Sequence, residues 1–430
     1  MTARRCPAFL VSAPASGQGK TTVTAALARK FRNQGRRVRV FKAGPDFLDP
    51  MILEQASKQP VHQLDLWMCG EAHCRELLYE AAGEADLILV EGVMGLFDGT
   101  PSSADLAEKF GLPVLAVIDA WAMAQTFGAV VHGLASYRPQ LRVLAAIGNR
   151  VAGAGHAAML AESLPPSVVT FGHLLRDADI ALPERHLGLL QATEIDDLET
   201  RIELASQRLQ FELDLAALAP VTFESTTTSP LPRSLAGVRI GVARDAAFSF
   251  IYHANLDVLK QLGAQLVFFS PLAQQPAPEV DSLWLPGGYP ELHLQTLAAN
   301  HAFTLALRTH HAHGKPIVAE CGGMLALLQT LTNDKGHRTE MAGLLPGHGI
   351  MQTRLSAIGS QSVALPEGEL RSHTFHYSRM EAAPEPITHG TAQHGGTLGE
   401  AVYRDGRLHA SYLHLYFPSN PQAVARLFAP

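Results

Sequence analysis

The stretch SAPASGQGKTT, residues 12–22, is the most informative part of the N-terminal half of this 430-residue chain. It follows an apolar run at 8–13 and opens a helical pattern at 20–34, which is the setting that a phosphate-binding loop requires. Its glycines let backbone N–H groups approach phosphate oxygens, and the start of a helix adds positive potential. The first position of the full motif is Pro14 rather than glycine, which leaves this chemistry intact. The stretch therefore predicts a nucleotide site on a parallel α/β sheet.

The loop supplies most of the nucleotide-binding residues that we expect. Lys20 would contact the β and γ phosphates, and the hydroxyl of Thr21 would ligate Mg²⁺. An ordinary glycine-rich turn is the alternative, but a Lys-Thr pair directly after the second glycine favours nucleotide chemistry. The expected nucleotide-binding residues of the loop are Gly17, Gly19, Lys20, Thr21 and Thr22.

Polar side chains also follow the later strands of the predicted sheet. FKAGPDFLDP places Lys42, Asp46 and Asp49 after the second strand, and LILVEGVMGLFDG places Glu91 after the third. Ligands of open α/β folds bind at the carboxyl ends of the strands, and carboxylates there can hold Mg²⁺ directly or through water. We therefore expect a metal site of Thr21, Asp46 and Glu91, although the aspartates could instead form turns beside prolines.

Asn149, in IGNRVAG, ends a further predicted strand. Its amide could face the adenine of a bound nucleotide, or it could only shape the turn. The residue pattern leaves both interpretations open.

Composition narrows the class of protein. Hydrophobic residues make up 47% and charged residues 17%, as in ordinary globular enzymes. The formal charge of −6, with scattered basic residues, argues against a nucleic-acid surface. Four irregularly spaced cysteines do not suggest a disulfide framework, which favours a reducing cytoplasm. No apolar stretch reaches the roughly 18 residues that would span a bilayer.

Both halves of the chain alternate short apolar runs with helical patterns. The runs are almost continuously apolar, as expected of parallel strands that are covered on both faces. A stretch rich in Ser, Thr and Pro separates the halves. The pattern predicts two doubly wound α/β domains, 1–222 and 237–430, joined by a linker at 223–236.

The stretch PIVAECGGML, Pro316–Leu325, places Cys321 at a strand-to-helix turn. A helix N-terminus favours the thiolate, so we expect a thiol pKa below about 8.5. Gly322 offers a backbone N–H to an oxyanion, and Gly287 and Gly288 in LPGGYPELH offer a second wall. His414 ends a later β-like run and is a candidate base, although one histidine among 20 is weak by itself.

Four stretches together resemble one family: SGQGKTTVTAAL (16–27), KAGPDFLDP (42–50), VEGVMGLFDG (90–99) and ERHLGLL (184–190). They are similar to the corrinoid a,c-diamide synthases, which act on cobyrinic or hydrogenobyrinic acid, and the similarity runs essentially end to end. The ATP-binding half is related to dethiobiotin synthetase. The C-terminal half resembles a class I glutamine amidotransferase domain of the cobyric-acid type, which implies a flavodoxin-like sheet.

The resemblance implies an amidoligase that uses ATP and L-glutamine to amidate the a and c carboxylates of a corrinoid acid through acyl phosphates, in cobalamin biosynthesis. Cys321 would be the glutaminase nucleophile and His414 its base, while Lys42 would join Lys20 in stabilising the transferring phosphoryl group. Mg²⁺ is the implied cofactor. We expect no nucleic-acid or membrane partner, and the resemblance allows a homodimer.

Two points stay open at this level. Many class I amidotransferases have a glutamate two residues after the histidine, but position 416 is Tyr416, so the third member of the Cys–His site is undefined. The segment RSHTFHYSRME (371–381) resembles a family segment, and its His376 could face glutamine, the corrinoid or the domain interface, or belong to an ordinary strand.

Other functions remain as alternatives. The same chemistry could serve another tetrapyrrole acid, as in cobyric acid synthase or nickel-sirohydrochlorin a,c-diamide synthase. A P-loop switch ATPase fused to an inactive amidotransferase-like module belongs to a different class of protein.

Overall fold

The computed structural model of the chain describes residues 3–168, 170–185, 188–215, 218–226, 230–396 and 398–430, with only the backbone at 184, 185, 188 and 189. Residues 186 and 187 of the ERHLGLL motif therefore lie outside the described residues. The chain divides into two compact units, Met1–Thr228 and Ser229–Pro430, and the division falls inside the predicted linker. Residues 223 and 224 belong to a strand that pairs with Ala3–Cys6, so ordered structure continues past the predicted domain end at 222.

The N-terminal unit is built on a parallel sheet of seven strands in the order β4-β3-β5-β2-β6-β7-β8. Two short antiparallel pairs, β1 with β11 and β9 with β10, stand apart from it. The strands of this unit are β1 Ala3–Cys6, β2 Ala8–Ser12, β3 Val38–Ala43, β4 His62–Leu64, β5 Leu87–Glu91, β6 Val114–Asp119, β7 Val143–Val151, β8 Thr170–Leu175, β9 Glu184–Arg185, β10 Gly188–Leu189 and β11 Val221–Glu224.

Helices cover this sheet because its strands are apolar on both faces, as in β2 and β5, where every residue is buried. The helices are α1 Lys20–Asn33, α2 Leu48–Ser57, α3 Glu71–Glu84, α4 Ser103–Phe110, α5 Thr126–Ser136, α6 Ala154–Glu162 and α7 Leu198–Arg208, with short turns of helix at Leu66–Gly70, Ala178–Ile180 and Ala192–Glu194. The apolar runs at 8–13, 38–43, 86–92, 113–120 and 142–149 predict five strands, which are confirmed as β2, β3, β5, β6 and β7. The short β4 and the less buried β8 were not predicted.

The C-terminal unit contains a sheet of ten strands in the order β13-β12-β14-β15-β24-β23-β22-β19-β20-β25, and a second sheet of four in the order β17-β16-β18-β21. The strands are β12 Arg239–Ala243, β13 Gln265–Phe269, β14 Ser282–Leu285, β15 Ile317–Glu320, β16 Thr330–Thr332, β17 Arg338–Glu340, β18 His348–Met351, β19 Ala357–Leu365, β20 Gly368–His376, β21 Ser378–Glu381, β22 Thr388–Ala392, β23 Leu398–Asp405, β24 Leu408–Ser411 and β25 His414–Tyr416.

Strands β13, β12, β14, β15 and β24 run parallel, which confirms the predicted doubly wound α/β class of this unit. The sheet then continues through antiparallel strands from β23 to β25, which the sequence did not predict. The helices are α8 His253–Gln261, α9 Leu294–Ala299, α10 His301–Ala312, α11 Gly322–Leu325 and α12 Pro421–Phe428, with short turns at Pro290–Leu292 and Phe417–Ser419.

Within the described part of the chain, no helix combines the length and the apolar character that crossing a membrane would need.

Candidate active sites

The phosphate-binding loop joins β2 to α1 and depends on two glycines with positive φ, 76° at Gly17 and 85° at Gly19. A Cβ atom at position 19 would lie 2.1 Å from Nδ2 of Asn149, so this position needs glycine for its conformation and for its close approach to the next strand end. The loop therefore has the geometry that brings backbone N–H groups toward a ligand.

Lys20 begins α1 and turns its ammonium group back over the loop. Its Nζ donates to the carbonyl oxygens of Met94, at 2.7 Å, and Ala15, at 3.3 Å. Burial, and then the positive charge of Lys42, lowers the pKa of Lys20. A second positive group therefore stands close to the loop lysine, as the sequence predicted.

Lys42 lies at the end of β3, where three carboxylates surround it. Its Nζ is 2.5 Å from Oδ2 of Asp49, 2.6 Å from Oε1 of Glu91 and 3.8 Å from Oδ2 of Asp46. Burial alone lowers the pKa of Lys42, but the three negative charges together raise it above its ordinary value. Asp49, which the sequence did not single out as a ligand, is its nearest carboxylate.

The residues expected at a metal site lie together. The hydroxyl of Thr21 donates to Oε1 of Glu91 at 3.1 Å, and Glu91 is fully buried at the end of β5. Its other oxygen, Oε2, is buried with no hydrogen-bond partner among the described residues. Burial raises the pKa of Glu91 to about 7, although the neighbouring ammonium group of Lys42 opposes the rise. An orphaned carboxylate oxygen beside a hydroxyl fits a hard cation such as Mg²⁺.

Protein side chains would form only part of such a site. Among the described residues, no three His, Cys, Asp or Glu side chains are arranged to hold a metal ion by themselves. Mg²⁺ commonly keeps water and takes phosphate oxygens as ligands, so a partial protein site is its usual setting.

Asn149 contacts the loop directly. Its Nδ2 donates to the carbonyl oxygen of Gln18 at 2.9 Å, and its Oδ1 accepts from the N–H of Arg150 at 2.9 Å. The amide therefore braces the phosphate-binding loop while it lines the same cavity. Arg150, which the sequence analysis missed, bonds Asp119 at 3.1 Å and the Gly17 carbonyl oxygen at 3.3 Å.

These groups border one cavity of about 630 Å³ in the N-terminal unit. All the nucleotide-site residues predicted from the sequence line it except Glu91, which lies behind Lys42 and Thr21. The predicted residues that line it are Gly17, Gly19, Lys20, Thr21, Thr22, Lys42, Asp46 and Asn149.

The strand-to-helix elbow predicted at Cys321 is present in the C-terminal unit. Cys321 has φ 45° and ψ −108°, between β15 and the four-residue α11. Its backbone N–H donates to the carbonyl oxygen of Ser411 at 2.7 Å. A Cβ atom at Gly322 would lie 2.6 Å from the carbonyl oxygen of Gly288, and one at Gly323 only 2.0 Å from that of Leu285. The glycines after the cysteine therefore allow the elbow to pack against β14.

The expected lowering of the thiol pKa is wrong. Cys321 is 5% exposed, and burial raises its pKa well above the ordinary value, with the negative charge of Glu291 adding to the effect. The backbone N–H of Gly322 opposes this rise but does not overcome it. A helix of four residues has little positive potential to offer, and desolvation outweighs it.

His414 was predicted to end a strand, but β24 already ends at Ser411 and His414 begins β25. Its imidazole packs against the glycine pair of the LPGG turn. A Cβ atom at Gly287 would lie 2.2 Å from Cε1 of the imidazole, so only glycine fits there. Burial lowers the pKa of His414 to about 3, with smaller effects from His373 and His376. The imidazole is therefore neutral at neutral pH, and neutral imidazole can accept a proton.

Glu320 links the nucleophile's strand to the strand of the histidine. Its buried Oε1 accepts a hydrogen bond of 3.1 Å from the N–H of Leu415, the residue after His414. Burial raises the pKa of Glu320 to about 8. The sequence analysis missed Glu320 because its partner lies 95 residues away and no motif spacing links the two positions. Tyr416, at the position where many relatives of this domain class have an acid, is buried and packs at 5.6 Å against the ring of Tyr252.

His376 lies in a buried polar cluster. Its Nε2 is 3.0 Å from Oε1 of Glu400 and its Nδ1 is 2.8 Å from the carbonyl oxygen of Ser378. Its ring stacks on Tyr412 with centroids 3.7 Å apart and 7° between the planes. Tyr412 follows Ser411, whose carbonyl oxygen binds the N–H of Cys321, so the cluster borders the elbow.

Comparison with known proteins agrees with the division of the chain into two units. Residues 9–190 match the family described as the CobQ/CobB/MinD/ParA nucleotide binding domain, and residues 239–422 match the CobB/CobQ-like glutamine amidotransferase domain. The chain is 60% identical to the hydrogenobyrinate a,c-diamide synthase of Pseudomonas aeruginosa, over 100% of this chain and 99% of that protein. It is 59% identical to the Stutzerimonas stutzeri protein of the same name, over the full length of both. It is 50% identical to the cobyrinate a,c-diamide synthase of Herminiimonas arsenicoxydans, over 98% and 96%.

Proposed function

Because the chain belongs to the family of hydrogenobyrinate and cobyrinate a,c-diamide synthases, we propose that it converts the a and c carboxylates of a corrinoid acid to amides with ATP and glutamine. One observation supports this most directly. In one unit Lys20 and Lys42 line a cavity at the glycine-rich loop, and in the other the elbow of Cys321 and the imidazole of His414 border the same LPGG turn. Amide formation from a carboxylate needs an activated acyl group and ammonia, and each site supplies one of them.

The N-terminal unit would activate the carboxylate. A corrinoid carboxylate attacks the γ-phosphorus of ATP, ADP leaves, and an acyl phosphate forms. Lys20 and Lys42 would stabilise the charge on the transferring phosphoryl group, and the loop N–H groups would hold the phosphates. Thr21, Glu91 and Asp46 would hold Mg²⁺, which supplies further neutralisation of phosphate charge.

The C-terminal unit would release ammonia. The Sγ of Cys321 attacks the side-chain amide of glutamine, and its proton passes to His414. Because burial disfavours both the thiolate and the imidazolium, this transfer has to accompany the attack. The imidazolium then gives the proton to the departing nitrogen, and water hydrolyses the thioester to glutamate.

The glycine pair of the LPGG turn is suited to bind the oxyanion. Gly288 packs against Gly322, and Gly287 packs against His414, so the turn borders both the elbow and the imidazole. The N–H of Cys321 already donates to Ser411 and is not free for this role. We propose the N–H of Gly288 as an oxyanion donor, with Gly287 making room for the base.

We propose hydrogenobyrinic acid, the cobalt-free macrocycle, as the preferred substrate. The relatives at 60% and 59% identity are named for that acid, and the relative at 50% identity is named for cobyrinic acid. We also propose that the protein works in the cytoplasm, because all four cysteines are unpaired and a reducing compartment preserves them.

The test is an assay of the pure protein with ATP, Mg²⁺ and glutamine, offering hydrogenobyrinic acid, cobyrinic acid or the a,c-diamide as acceptor. We expect ATP hydrolysis to depend on the acid, and mass spectrometry to show mono- and diamide, faster with the cobalt-free acid. Consumption of the a,c-diamide alone would indicate cobyric acid synthase. Hydrolysis of ATP that responds to protein or DNA and ignores tetrapyrrole acids would indicate a switch ATPase and contradict the proposal.

A further inference from the structure

Glu400, on β23, is held from several sides in the C-terminal unit. Its backbone N–H donates to Oε1 of Gln361 at 2.8 Å. Its carboxylate oxygen Oε1 accepts from the hydroxyl of Thr374 at 3.2 Å and bonds Nε2 of His376 at 3.0 Å. The side chains of His376 and Glu400 are 8% and 14% exposed. This carboxylate is therefore nearly buried and fixed in place, and nothing in the proposed glutaminase chemistry uses it.

The hydrogen bonds define the orientation of the pair. Nδ1 of His376 faces the carbonyl oxygen of Ser378, which can only accept, so Nδ1 carries a proton. Oε1 of Glu400 accepts from the hydroxyl of Thr374 and shares a hydrogen bond with Nε2 of His376. The imidazole and the hydroxyl therefore hold the same carboxylate oxygen and fix the direction of the other one.

The pair borders the nucleophile. The ring of His376 stacks on Tyr412, and Ser378 donates to the hydroxyl of Tyr412 at 3.0 Å. The residue before Tyr412 receives the backbone N–H of Cys321. The negative charge of Glu400 also acts on the Cys321 thiol, which agrees with this placement.

One oxygen of the carboxylate remains available. Both hydrogen bonds to the Glu400 carboxylate go to Oε1, and among the described residues none is made to Oε2. A nearly buried carboxylate that is held at one oxygen and keeps the other open is arranged to bind a ligand with a hydrogen-bond donor. Glutamine, the substrate of the proposed function, carries an α-ammonium group a few bonds from the amide that Cys321 attacks.

We propose that Glu400 binds the α-ammonium group of glutamine through Oε2, and that His376 and Thr374 hold the carboxylate for this contact. The assignment rests on the proposed function, since it names how that site recognises its nitrogen donor. It gives His376 a positioning role at the glutamine subsite rather than the role of a base.

The experiment compares glutamine with glutaramic acid, which has the same side-chain amide and carboxylate but no α-amino group. Ammonia release is measured for the parent, Glu400→Gln and the control Glu367→Gln, with ATP and macrocycle present. Glu367 is a matched control because its carboxylate also lies in an ion pair of this unit, with Arg404 at 2.8 Å and 17% exposure.

We expect the parent and Glu367→Gln to prefer glutamine by about 10²-fold in kcat/KM, as loss of a charge-paired ligand group costs on this scale. In Glu400→Gln the preference should fall to within about 3-fold, mainly through a higher KM for glutamine, while glutaramic acid hydrolysis stays near the parent rate. Glu400→Asp, which keeps the charge on a shorter side chain, should show an intermediate preference.

The glutaramic acid rate also reports whether each variant is folded and competent. An equal loss on both substrates in Glu400→Gln and Glu400→Asp would overturn the assignment and leave Glu400 a structural role. An unchanged preference for glutamine would overturn it as well. If the parent released no glutamate from glutamine at all, the failure would lie with the proposed function instead.

Discussion

The two sites of this chain differ in the charge of their side chains. In the N-terminal unit, Lys20 and Lys42 share a cavity with carboxylates, and Lys42 lies within 2.6 Å of two of them. In the C-terminal unit, Cys321 and His414 are buried, and burial shifts both pKa values toward the neutral forms. The N-terminal site therefore contains charged side chains in the absence of substrate, whereas the reacting side chains of the C-terminal site are neutral.

The difference follows from what each site has to stabilise. Phosphoryl transfer moves a group that is already strongly negative, so fixed positive groups and a metal ion are needed throughout. Attack on an amide develops charge only in the transition state, where a few donors in a dry pocket act strongly. The two sites therefore respond differently to the loss of one side chain, which the following variants test.

The largest effect should come from Cys321→Ser. Because the nucleophile is lost, glutamine-dependent synthesis should fall on the order of 10⁴-fold or more, while synthesis from high ammonium should stay at the parent rate. Both rates are measured as amide product formed with ATP and macrocycle. Cys69→Ser, a buried cysteine of the other unit, is the control and should preserve both rates. If Cys321→Ser kept nearly the parent rate with glutamine, the proposal that the C-terminal site releases the ammonia would be wrong.

Lys20→Ala should reduce synthesis with either nitrogen source by about 10²- to 10³-fold, because the phosphoryl group loses a fixed positive partner. The measurement is the initial rate of ADP formation with glutamine and with ammonium. Lys30→Ala is matched to it, since Lys30 lies on the same helix but donates to the carbonyl oxygen of Leu209. If Lys20→Ala still formed ADP with ammonium at nearly the parent rate, the phosphate-binding loop would not take part in activating the carboxylate.

His414→Ala should lower glutamate release from glutamine by about 10²-fold, the usual contribution of a general base, and spare ammonium-dependent synthesis. Tyr416→Phe is its matched control and should change the rate by less than about 3-fold, because a phenol does not give an imidazole the negative charge of a carboxylate. If a folded Tyr416→Phe variant lost as much glutaminase activity as His414→Ala, the interpretation of the site as a Cys–His dyad would be wrong. An unimpaired His414→Ala would make His376 the next base to test.

A different kind of effect, on folding rather than on catalysis, concerns the acid stability of the C-terminal unit. Burial lowers the pKa of His310, His373 and His409 to about 4, as it lowers that of His414 to about 3. Unfolded histidines take up protons near pH 6.5, so stability should fall as pH drops from 6.5 toward 4, by about 2 kcal/mol per histidine at pH 5. Denaturant unfolding at a series of pH values measures this slope.

A single variant isolates one of these histidines. His409→Gln should reduce proton uptake on unfolding at pH 5 by about one, because the folded His409 is almost unprotonated there and the unfolded one is almost fully protonated. An identical uptake in the parent and His409→Gln would mean that His409 is not buried as a neutral imidazole.

The structure confirms the predictions that rest on continuous sequence. The phosphate-binding loop needs a strand, two glycines and a helix start, all within residues 8–34, and these local requirements can be recognised from spacing. The parallel strands were predicted for the same reason, since a buried parallel strand is apolar at nearly every position. The elbow at Cys321 was predicted because a β-like run ends directly before the cysteine, and two glycines and a helix-forming stretch follow it.

From the sequence we could identify the chemical groups and the strand ends that carry Lys42, Glu91 and Cys321. The electrostatic state of these groups and their long-range partners became known only from the fold. Lys42 was predicted to stabilise the transferring phosphoryl group, and the fold adds that Asp49 and Glu91 converge on it. The thiol of Cys321 was expected to have a lowered pKa, but the surrounding core desolvates it and raises that pKa. Glu400 reaches His376 from a different strand, 24 residues away. Burial and pairing depend on residues distant along the chain, and no local spacing records them.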